Sequence, residues 1–363
     1  ISACLVGSEM CIRDSGYIGR RITHEYQPEN INAVPNMFTL GGQQFKQAYA
    51  NTVLALCGGI AGLAGGGCNG DGHGNPNPGA VANQPFFETA LGGPTSAYCS
   101  AFTSCTQAVV ANETTNLALA QVWSIWSDLD NGPMQALSVP GGQGGVLTGY
   151  TMMNTGPSPQ VSSGIALNGS LGYGNYNAGF ASVKMADWRG LTMQSNFTYS
   201  KALGTGADVQ ASSEYTPDDP FNLGTTYGYQ NYDRKFVYNL FFVYQLPFFK
   251  GQSGLLGRAL GGWSFASVFT AGSGQPFELY TTTGDGQEYG AGDNINFFGN
   301  ENAVQIAPIA HGHAYYNQNV PTGVIPVDLF KAGPSAVNDF RNPILGLDNK
   351  DCGNGNIFGL PYW

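Results

Sequence analysis

Few residues in this chain have the types and the spacing that catalysis or metal binding requires. The histidines include one close pair, His311 and His313, but no carboxylate follows nearby to complete a metal site, so we interpret the pair as part of a solvated loop. Asp71 and His73 lack the alternating acidic ligands and the closing glutamate of a calcium loop. No set of Ser, His and Asp can be assembled on physical grounds. The sequence therefore predicts no catalytic residue, no metal and no cofactor, and we do not expect an enzyme.

Cysteine is the one reactive residue type whose spacing is informative. Beyond residue 15 the cysteines are Cys57, Cys68, Cys99, Cys105 and Cys352. The first four form two close pairs, which predict local disulfides Cys57–Cys68 and Cys99–Cys105 in an oxidising compartment. Free thiols remain the alternative. Zinc is disfavoured because no C-x-x-C spacing or nearby histidine supports tetrahedral ligation.

The composition excludes several classes of protein. Only 10% of the residues are charged, whereas an average soluble domain has about 25%. The net charge of −10 leaves no basic stripe that could neutralise phosphates, so no nucleic-acid partner is expected. No stretch approaches the roughly 18 apolar residues of a membrane helix. If the chain enters a membrane, strands must cross it.

Alternating strands are the elements that would position any functional side chain. In 191-LTMQSNFTYSK-201, Met193, Phe197 and Tyr199 fall on one parity and small polar residues on the other. A strand of this kind has one apolar and one polar face. The apolar rows run about 9–11 residues, the length that a tilted strand needs to cross a bilayer. Further strands are predicted at 16–26, 176–188, 236–249 and 263–279.

The ends of the strands indicate which face meets lipid. The short turn at 187–190 and the connector at 250–262 would collect four aromatic residues at one level: Trp188, Phe248, Phe249 and Trp263. Such a level is typical of the aromatic girdle at a membrane interface. A soluble sandwich, the alternative, would favour charged side chains on its exposed face. We therefore predict that the apolar face meets lipid, and that a water-filled lumen is lined by Lys184, Gln194 and Asn196.

These patterns predict an all-β fold, an antiparallel transmembrane β-barrel fragment with a long, partly helical extracellular insertion. The insertion is expected at 27–173, with helix-forming composition at 40–56 and 104–130. The strand-rich barrel core is expected at 174–282, and a truncated extracellular loop at 283–363.

The first fifteen residues are predicted not to belong to the protein. The chain opens with Ile1, and 4-CLVGSEMCIRDS-15 resembles the in-frame translation of a sequencing-library adaptor. We therefore exclude 1–15, with Cys4 and Cys11, from the fold prediction. The partial β-barrel domain is expected to occupy 16–363.

Three segments resemble the C-terminal barrel of Oar-like TonB-dependent receptors. They are 176-YNAGFASVKMADWRGLTMQSNFTYSKALG-204, 219-DPFNLGTTYGYQNYDRKFVYNLFFVYQLPF-248 and 261-GGWSFASVFTAGSGQPFEL-279. Their motifs follow the family's order over about the middle third of the chain. The resemblance implies a large outer-membrane barrel with an N-terminal plug, further strands after Trp363, and import powered by the TonB complex through a plug region that is missing here.

Three functions remain open from the sequence. The first is a TonB-dependent outer-membrane transporter or receptor that imports a ligand, for which an oligosaccharide or a peptide is expected. The second is a non-TonB outer-membrane porin or adhesin. The third is a secreted β-rich binding protein. The first two predict the cell outer membrane as location and its lipid as a partner.

Overall fold

A computed structural model describes most of the chain. The described residues are 2–6, 9–30, 34–64, 68, 76–119, 121–136, 166–205, 221–230, 232–248, 250–274, 276–278, 280–281, 301–302, 304–308, 311–314, 327–330, 333–341, 344–347 and 357–359. Within these ranges the chain forms one large antiparallel sheet and a separate cluster of helices.

The strands of the described residues are, in chain order, β1 (Ser2–Val6), β2 (Glu9–Asn30), β3 (Thr39–Leu40), β4 (Gln43–Gln44), β5 (Ala166–Trp188), β6 (Leu191–Gly204), β7 (Gly228–Tyr229), β8 (Phe236–Gln245), β9 (Ser264–Gly272), β10 (Pro276–Glu278), β11 (Tyr280–Thr281), β12 (Glu301–Asn302), β13 (Val304–Gln305), β14 (His311–Ala314), β15 (Val327–Phe330), β16 (Phe340–Arg341) and β17 (Ile357–Gly359). The large sheet has the order β1-β2-β5-β6-β8-β9, and β7 also pairs with β6. All its pairings are antiparallel. Over the described residues the sheet is open, with β1 and β9 at its edges.

The helices are α1 (Phe45–Leu56), α2 (Pro85–Ala90), α3 (Cys105–Asn112), α4 (Thr114–Ala118), α5 (Val122–Asn131), α6 (Pro133–Ala136) and α7 (Gly254–Leu260). Short 3-10 helices occupy Ile60–Leu63, Pro78–Ala80, Leu223–Thr226 and Gly333–Asp339. Helices α1 to α6 lie between β2 and β5, whereas α7 lies in the connector between β8 and β9. No helix in the described ranges is long and apolar enough to cross a membrane.

Two strands are much longer than their sequence patterns predicted. β2 has 22 residues and β5 has 23, and their register continues to the pair Asn30 and Ala166. The strand pairing thus continues past the predicted limits of the insertion, 27 and 173, and the segment that joins the two strands begins after Asn30 and ends before Ala166. That the insertion is extracellular stays a prediction. The outer parts of both strands lack apolar alternation, so the pairing of their backbones could not be read from periodicity.

Two other strands are shorter than predicted. β8 ends at Gln245 rather than at residue 249, because Pro247 has no N–H to continue the ladder. β9 ends at Gly272 rather than at residue 279. The following residues form β10, which pairs with β17 and not with β8.

The turn between β5 and β6 is as short as the sequence predicted. Asp187, Arg189 and Gly190 have positive φ angles of 52°, 50° and 85°. A Cβ atom at position 190 would lie 2.7 Å from the carbonyl oxygen of Gln245, whose own N–H donates to the Gly190 carbonyl. Glycine is required here by both its backbone conformation and the close approach of β8.

The first fifteen residues contribute backbone to the sheet. Within β2, Ile12 pairs with Lys184 and Arg13 with Val183. Ile12 thus shares the polar face with Lys184, and Arg13 shares the apolar face with Val183. This is the reverse of the alternation in the neighbouring strands. Backbone pairing does not depend on side-chain type, so the adaptor interpretation of this segment stays a prediction.

The hydrophobic core lies in the helices and not in the sheet. Among the residues that the structure describes, the twelve largest fully buried side chains all fall within 34–136. Phe45 is central, because its ring lies 4.8 Å from that of Trp126 and 5.4 Å from that of Phe86, centroid to centroid. Such tilted and edge-on contacts are the preferred geometry of aromatic pairs.

A segment distant in sequence completes this core. Ile344 and Leu345 are buried against it, and Ala64 forms a β-bridge with Arg341. Gly346 has a φ of 85°, and a Cβ there would lie 2.2 Å from the Lys46 carbonyl oxygen of α1. We call residues 34–136 and 344–347, as far as they are described, the helical domain.

Candidate functional site

A regular nine-residue stretch forms the centre of the sheet. Residues 191–199 of β6 pair with 236–244 of β8, and β9 continues the same rows. Nine residues of a strand tilted by about 40° span roughly 23 Å, close to the apolar band of outer-membrane barrels. We call this stretch, with its partners in β5 and β9, the central band.

One face of the central band is aromatic and aliphatic. Directly paired residues of an antiparallel ladder project to the same side, so the register assigns this face to Leu191, Met193, Phe197, Tyr199, Phe236, Tyr238, Leu240, Phe242, Tyr244, Phe265 and Phe269. We call it the aromatic face. Phe265 and Phe269 are 60% and 53% exposed. Such exposure is unfavourable in water but is expected where hydrocarbon is the solvent.

The predicted lumen residues share the opposite face. Lys184 pairs with Gln194, and Asn196 pairs with Ser182 on one side and with Asn239 on the other. The register thus places Lys184, Gln194 and Asn196 on a single surface that excludes the aromatic face. That this surface lines a lumen stays a prediction.

The opposite face is less polar than the sequence analysis indicated. Phe241 pairs with Val268 and Val243 with Ala266, and all of them project away from the aromatic face. These residues were missed because the continuous aromatic row of the other parity dominated the pattern of β8.

Three of the four predicted girdle residues lie at one edge of the sheet. Trp188 pairs with Leu191, and the Trp263 carbonyl accepts a hydrogen bond of 3.1 Å from the Leu246 N–H. Phe248 follows at the same edge and is exposed. Phe249 lies outside the described residues. We call this the turn edge; its role as a membrane interface stays a prediction.

At the other edge, 232-YDRK-235 joins three strands. The buried Asp233 carboxylate accepts a hydrogen bond of 2.7 Å from the Ala202 N–H of β6. Arg234 donates from Nη1 to the Ser273 carbonyl just after β9, at 2.9 Å. Burial raises the pKa of Asp233, and the hydrogen bond from Ala202 opposes this rise. In the sequence this motif stood out only as part of a segment that resembles a known family. In the structure it connects the end of β6, the start of β8 and the end of β9 through these two hydrogen bonds.

Both predicted cysteine pairs are disulfides in the helical domain. Cys57 is joined to Cys68 with a Cα–Cα distance of 4.9 Å, and Cys99 to Cys105 with 4.8 Å. Cys57 directly follows α1 and Cys105 opens α3. Each bridge therefore ties one end of a helix to an irregular segment.

Polar side chains connect the helices to one another. The Glu88 carboxylate of α2 accepts hydrogen bonds from the N–H groups of Cys105 and Thr106 at 3.0 and 2.9 Å, and from the Thr106 hydroxyl at 2.8 Å. A negative charge at the first turn of α3 satisfies N–H groups that have no partner inside the helix. The side-chain oxygen Oε1 of Gln84 accepts from the side-chain amides of Gln43 and Asn51, at 2.7 and 3.1 Å.

An acidic group of the helical domain was not predicted from sequence. Burial raises the pKa of Glu113, the Asn116 amide that donates to it at 2.7 Å opposes the rise, and the neighbouring Asp128 adds to it. Burial also raises the pKa of Asp128. The spacing of 15 residues between these acids carries no local signal, because only the packing of α5 near α4 brings them together.

The residues considered for metal binding do not form a site in the described part of the chain. There, no group of three or more His, Cys, Asp and Glu residues could hold a metal ion. His311 and His313 lie in β14, whose backbone pairs His313 with Asp328, while their side chains are outside the described set. Asp71 and His73 also lie outside it.

An antiparallel sheet with a lipid-compatible aromatic face, and with tryptophans at its turn edge, defines the class of membrane-spanning β-barrels. The family model that matches the chain describes an outer membrane beta barrel domain and covers residues 9–351. The chain belongs to this family, and its location is the outer membrane. No curated protein and no solved structure matches it.

Proposed function

We propose that the chain is the barrel region of an outer-membrane receptor that captures a ligand and imports it with energy from the TonB complex. The observation that carries this proposal is the helical domain, which has its own aromatic core and two disulfides. Such a domain can hold a fixed binding surface. A passive pore needs no folded domain of this size in its loops.

The position of the helical domain supports this role. It is inserted between Asn30 and Ala166, at the end of β2 and β5 that lies away from the turn edge. In bacterial barrels the short turns face the periplasm and the long loops face the outside. The helical domain would therefore meet ligands before they reach the barrel. We expect an oligosaccharide or a peptide.

The resemblance to Oar-like receptors supports the energy coupling. The three similar segments cover residues 176–188 of β5 and the whole of β6, β8 and β9. These are the strands of the central band. A plug domain and a TonB box encoded upstream of Gly16 in the full reading frame are the sequence features that this proposal requires.

Passive and energised transport can be separated with the receptor encoded by the full reading frame. Liposomes that contain the receptor should not swell in isotonic arabinose, because a plugged barrel does not conduct. Cells should accumulate either labelled malto-oligosaccharides or labelled tryptic peptides, and deletion of the host tonB gene should abolish that accumulation. Rapid swelling, or uptake that persists without TonB, would identify a passive porin.

An adhesin is the second candidate, because the helical domain could also hold a surface that binds a partner outside the cell, whereas the resemblance to Oar-like receptors favours the transporter. An adhesin would retain labelled ligand at the cell surface with or without TonB and would not accumulate it inside. The secreted alternative is set aside because the family match places the chain in the outer membrane.

A further inference from the structure

The aromatic face changes character beyond the central band. In the row beyond Tyr199 the register aligns Gly19, Asn177 and Lys201, and in the next row on this face it aligns Arg21, Asn175 and Leu203. These two rows thus add two cations and two amides to the face and retain one apolar side chain, that of Leu203. None of the residues that these two rows place on this face is acidic, and one carboxylate that interacts with Lys201 is that of the buried Asp233, in the loop before β8. We call this surface the outer cationic rim.

A groove runs along the outer cationic rim between β2 and β5. It has a volume of about 520 Å³, and its lining includes Arg20, Arg21, Tyr173, Asn175 and Asn177. Tyrosines border it at both ends, because the Tyr17 hydroxyl donates to the Asn177 side chain and the Tyr173 ring stacks on Tyr227 at 5.4 Å. The groove therefore offers one guanidinium on the aromatic face, several amide groups and flat rings at the same place.

The rim lies at the height of the headgroup layer of a membrane and just above it. Lys201 lies two residues beyond Tyr199, and Arg21 is aligned two residues further. With about 3.3 Å per residue and a tilt near 40°, these side chains begin roughly 5 and 10 Å above the last aromatic row. Headgroups occupy about 5–8 Å on each side of the hydrocarbon core.

The chemistry of the rim fits phosphate joined to sugar. Arginine and lysine bind phosphate oxygens through charge-assisted hydrogen bonds. The Lys201 ammonium also lies 5.0 Å from the centre of the Tyr229 ring, which holds it over this part of the sheet. Amides and tyrosines supply the donors, acceptors and flat surfaces that hydroxyl-rich ligands need.

We propose that the outer cationic rim binds the phosphorylated sugar headgroup of a glycolipid in the outer leaflet, with the acyl chains lying on the aromatic face below it. A lipid is favoured over a free phosphate because the rim continues the aromatic face without interruption, so one molecule contacts both surfaces. Arg21 and Lys201 bind the phosphates, and Asn175, Asn177 and Tyr173 contact the sugar. This binding does not depend on TonB coupling or on the imported ligand.

Native mass spectrometry of the detergent-purified receptor tests the proposal, with deep-rough lipopolysaccharide as the probe. The unaltered receptor should retain the glycolipid, and the double variant Arg21→Gln/Lys201→Gln should bind it at least about tenfold more weakly, as expected for two lost charge-assisted contacts. The matched control Lys184→Gln, on the opposite face of the same sheet, should bind like the unaltered receptor. The heat-dependent gel shift verifies that every variant is folded.

Two further measurements keep the test decisive. Arg21→Lys/Lys201→Arg keeps both charges and should retain binding, which should weaken as NaCl is raised because the contact is ionic. Equal binding by the double Gln variant overturns the proposal. Full competition by inorganic phosphate overturns it in favour of a free-anion site, and equal binding of phosphatidylglycerol overturns the role of the sugar.

Discussion

The helical domain and the sheet treat their apolar side chains in opposite ways. In the helical domain, Trp126, Phe45 and Phe86 are completely buried. In the sheet, Phe265, Phe269 and Tyr199 remain more than half exposed, although their residue types are similar. Because aromatic residues are buried in one region and exposed in the other, residue type alone does not explain the difference.

The difference lies in the solvent that each region meets. A domain in water gains stability by removing apolar area from it, at about 25 cal/mol for each Å². A lipid-facing strand gains nothing by hiding its side chains, because the hydrocarbon around it is equally apolar. One fold can therefore combine a compact core and an exposed aromatic surface, provided that the boundary between the two solvents falls between them.

Removing the centre of the helical core should give the largest effect. Trp126→Ala should destabilise the helical domain by about 3–5 kcal/mol, the usual result of deleting a buried tryptophan side chain. Helical circular dichroism of the detergent-solubilised receptor should show an earlier melt, while the heat-dependent gel shift of the barrel stays unchanged. A barrel that unfolds together with the helices would show that the two regions are not independent.

A charge on the aromatic face should have the next largest effect. Phe242→Arg places a cation in the centre of the band and should cost about 2–4 kcal/mol in a bilayer. Asn239→Arg is the control at similar depth on the opposite face, where it pairs with Asn196 and Thr270, and should be tolerated. Folding into lipid vesicles followed over a urea series measures both. If Asn239→Arg is the more harmful change, the two faces have been assigned the wrong way round.

Loss of either disulfide should weaken only the helical domain. The bridges enclose short loops with separations of 11 and 6 residues, so Cys57→Ser/Cys68→Ser or Cys99→Ser/Cys105→Ser should each cost about 2–3 kcal/mol. The melt of the helices reports the change. Thiol counting on the unreduced, denatured receptor must leave these four cysteines unreactive, and recovery of four free thiols there contradicts the pairing.

A smaller effect is expected where α2 meets α3. Glu88→Gln keeps the shape of the side chain but removes the charge that holds the first turn of α3, which should cost about 1–2 kcal/mol. Glu88→Asp is a useful comparison, because it keeps the charge and shortens the side chain by one methylene. Melting of the helices should distinguish them, and an unchanged melt for Glu88→Gln would show that the carboxylate charge is not needed.

The smallest effect should be a pH dependence of the helical domain. The pKa values of Glu113 and Asp128 are raised in the folded state. Groups with raised pKa values bind protons more readily when folded, so their stabilisation is complete below the pKa values of the unfolded chain and is lost as the pH rises through those of the folded state. The melting temperature should therefore fall between mildly acidic and neutral pH. Glu113→Gln should flatten the curve, and an identical curve would exclude Glu113 as its origin.

Features that depend on neighbouring residues were predictable from the sequence. The alternation in 191–201 assigns Phe197 and Tyr199 to one face whatever strand lies beside it, since the strand repeat is local. The close cysteine pairs were predictable for the same reason, because few residues separate each pair. The short turn at 187–190 was equally local, and Gly190 marks it.

Features that depend on distant residues were decided only by the tertiary structure. The backbone of β2 pairs with β5 over stretches without apolar alternation, and Ile344 enters a core built from residues that lie more than 200 positions earlier in the chain. Asp233 and Arg234 acquire their roles only because β6 and β9 present an N–H and a carbonyl beside them. The sequence by itself determined the aromatic face of the central band and predicted the disulfide pairs. The lengths of the pairings, the closure of the helical core and the outer cationic rim required the folded chain, because backbone hydrogen bonds and long-range packing join residues whose identities carry no information about each other.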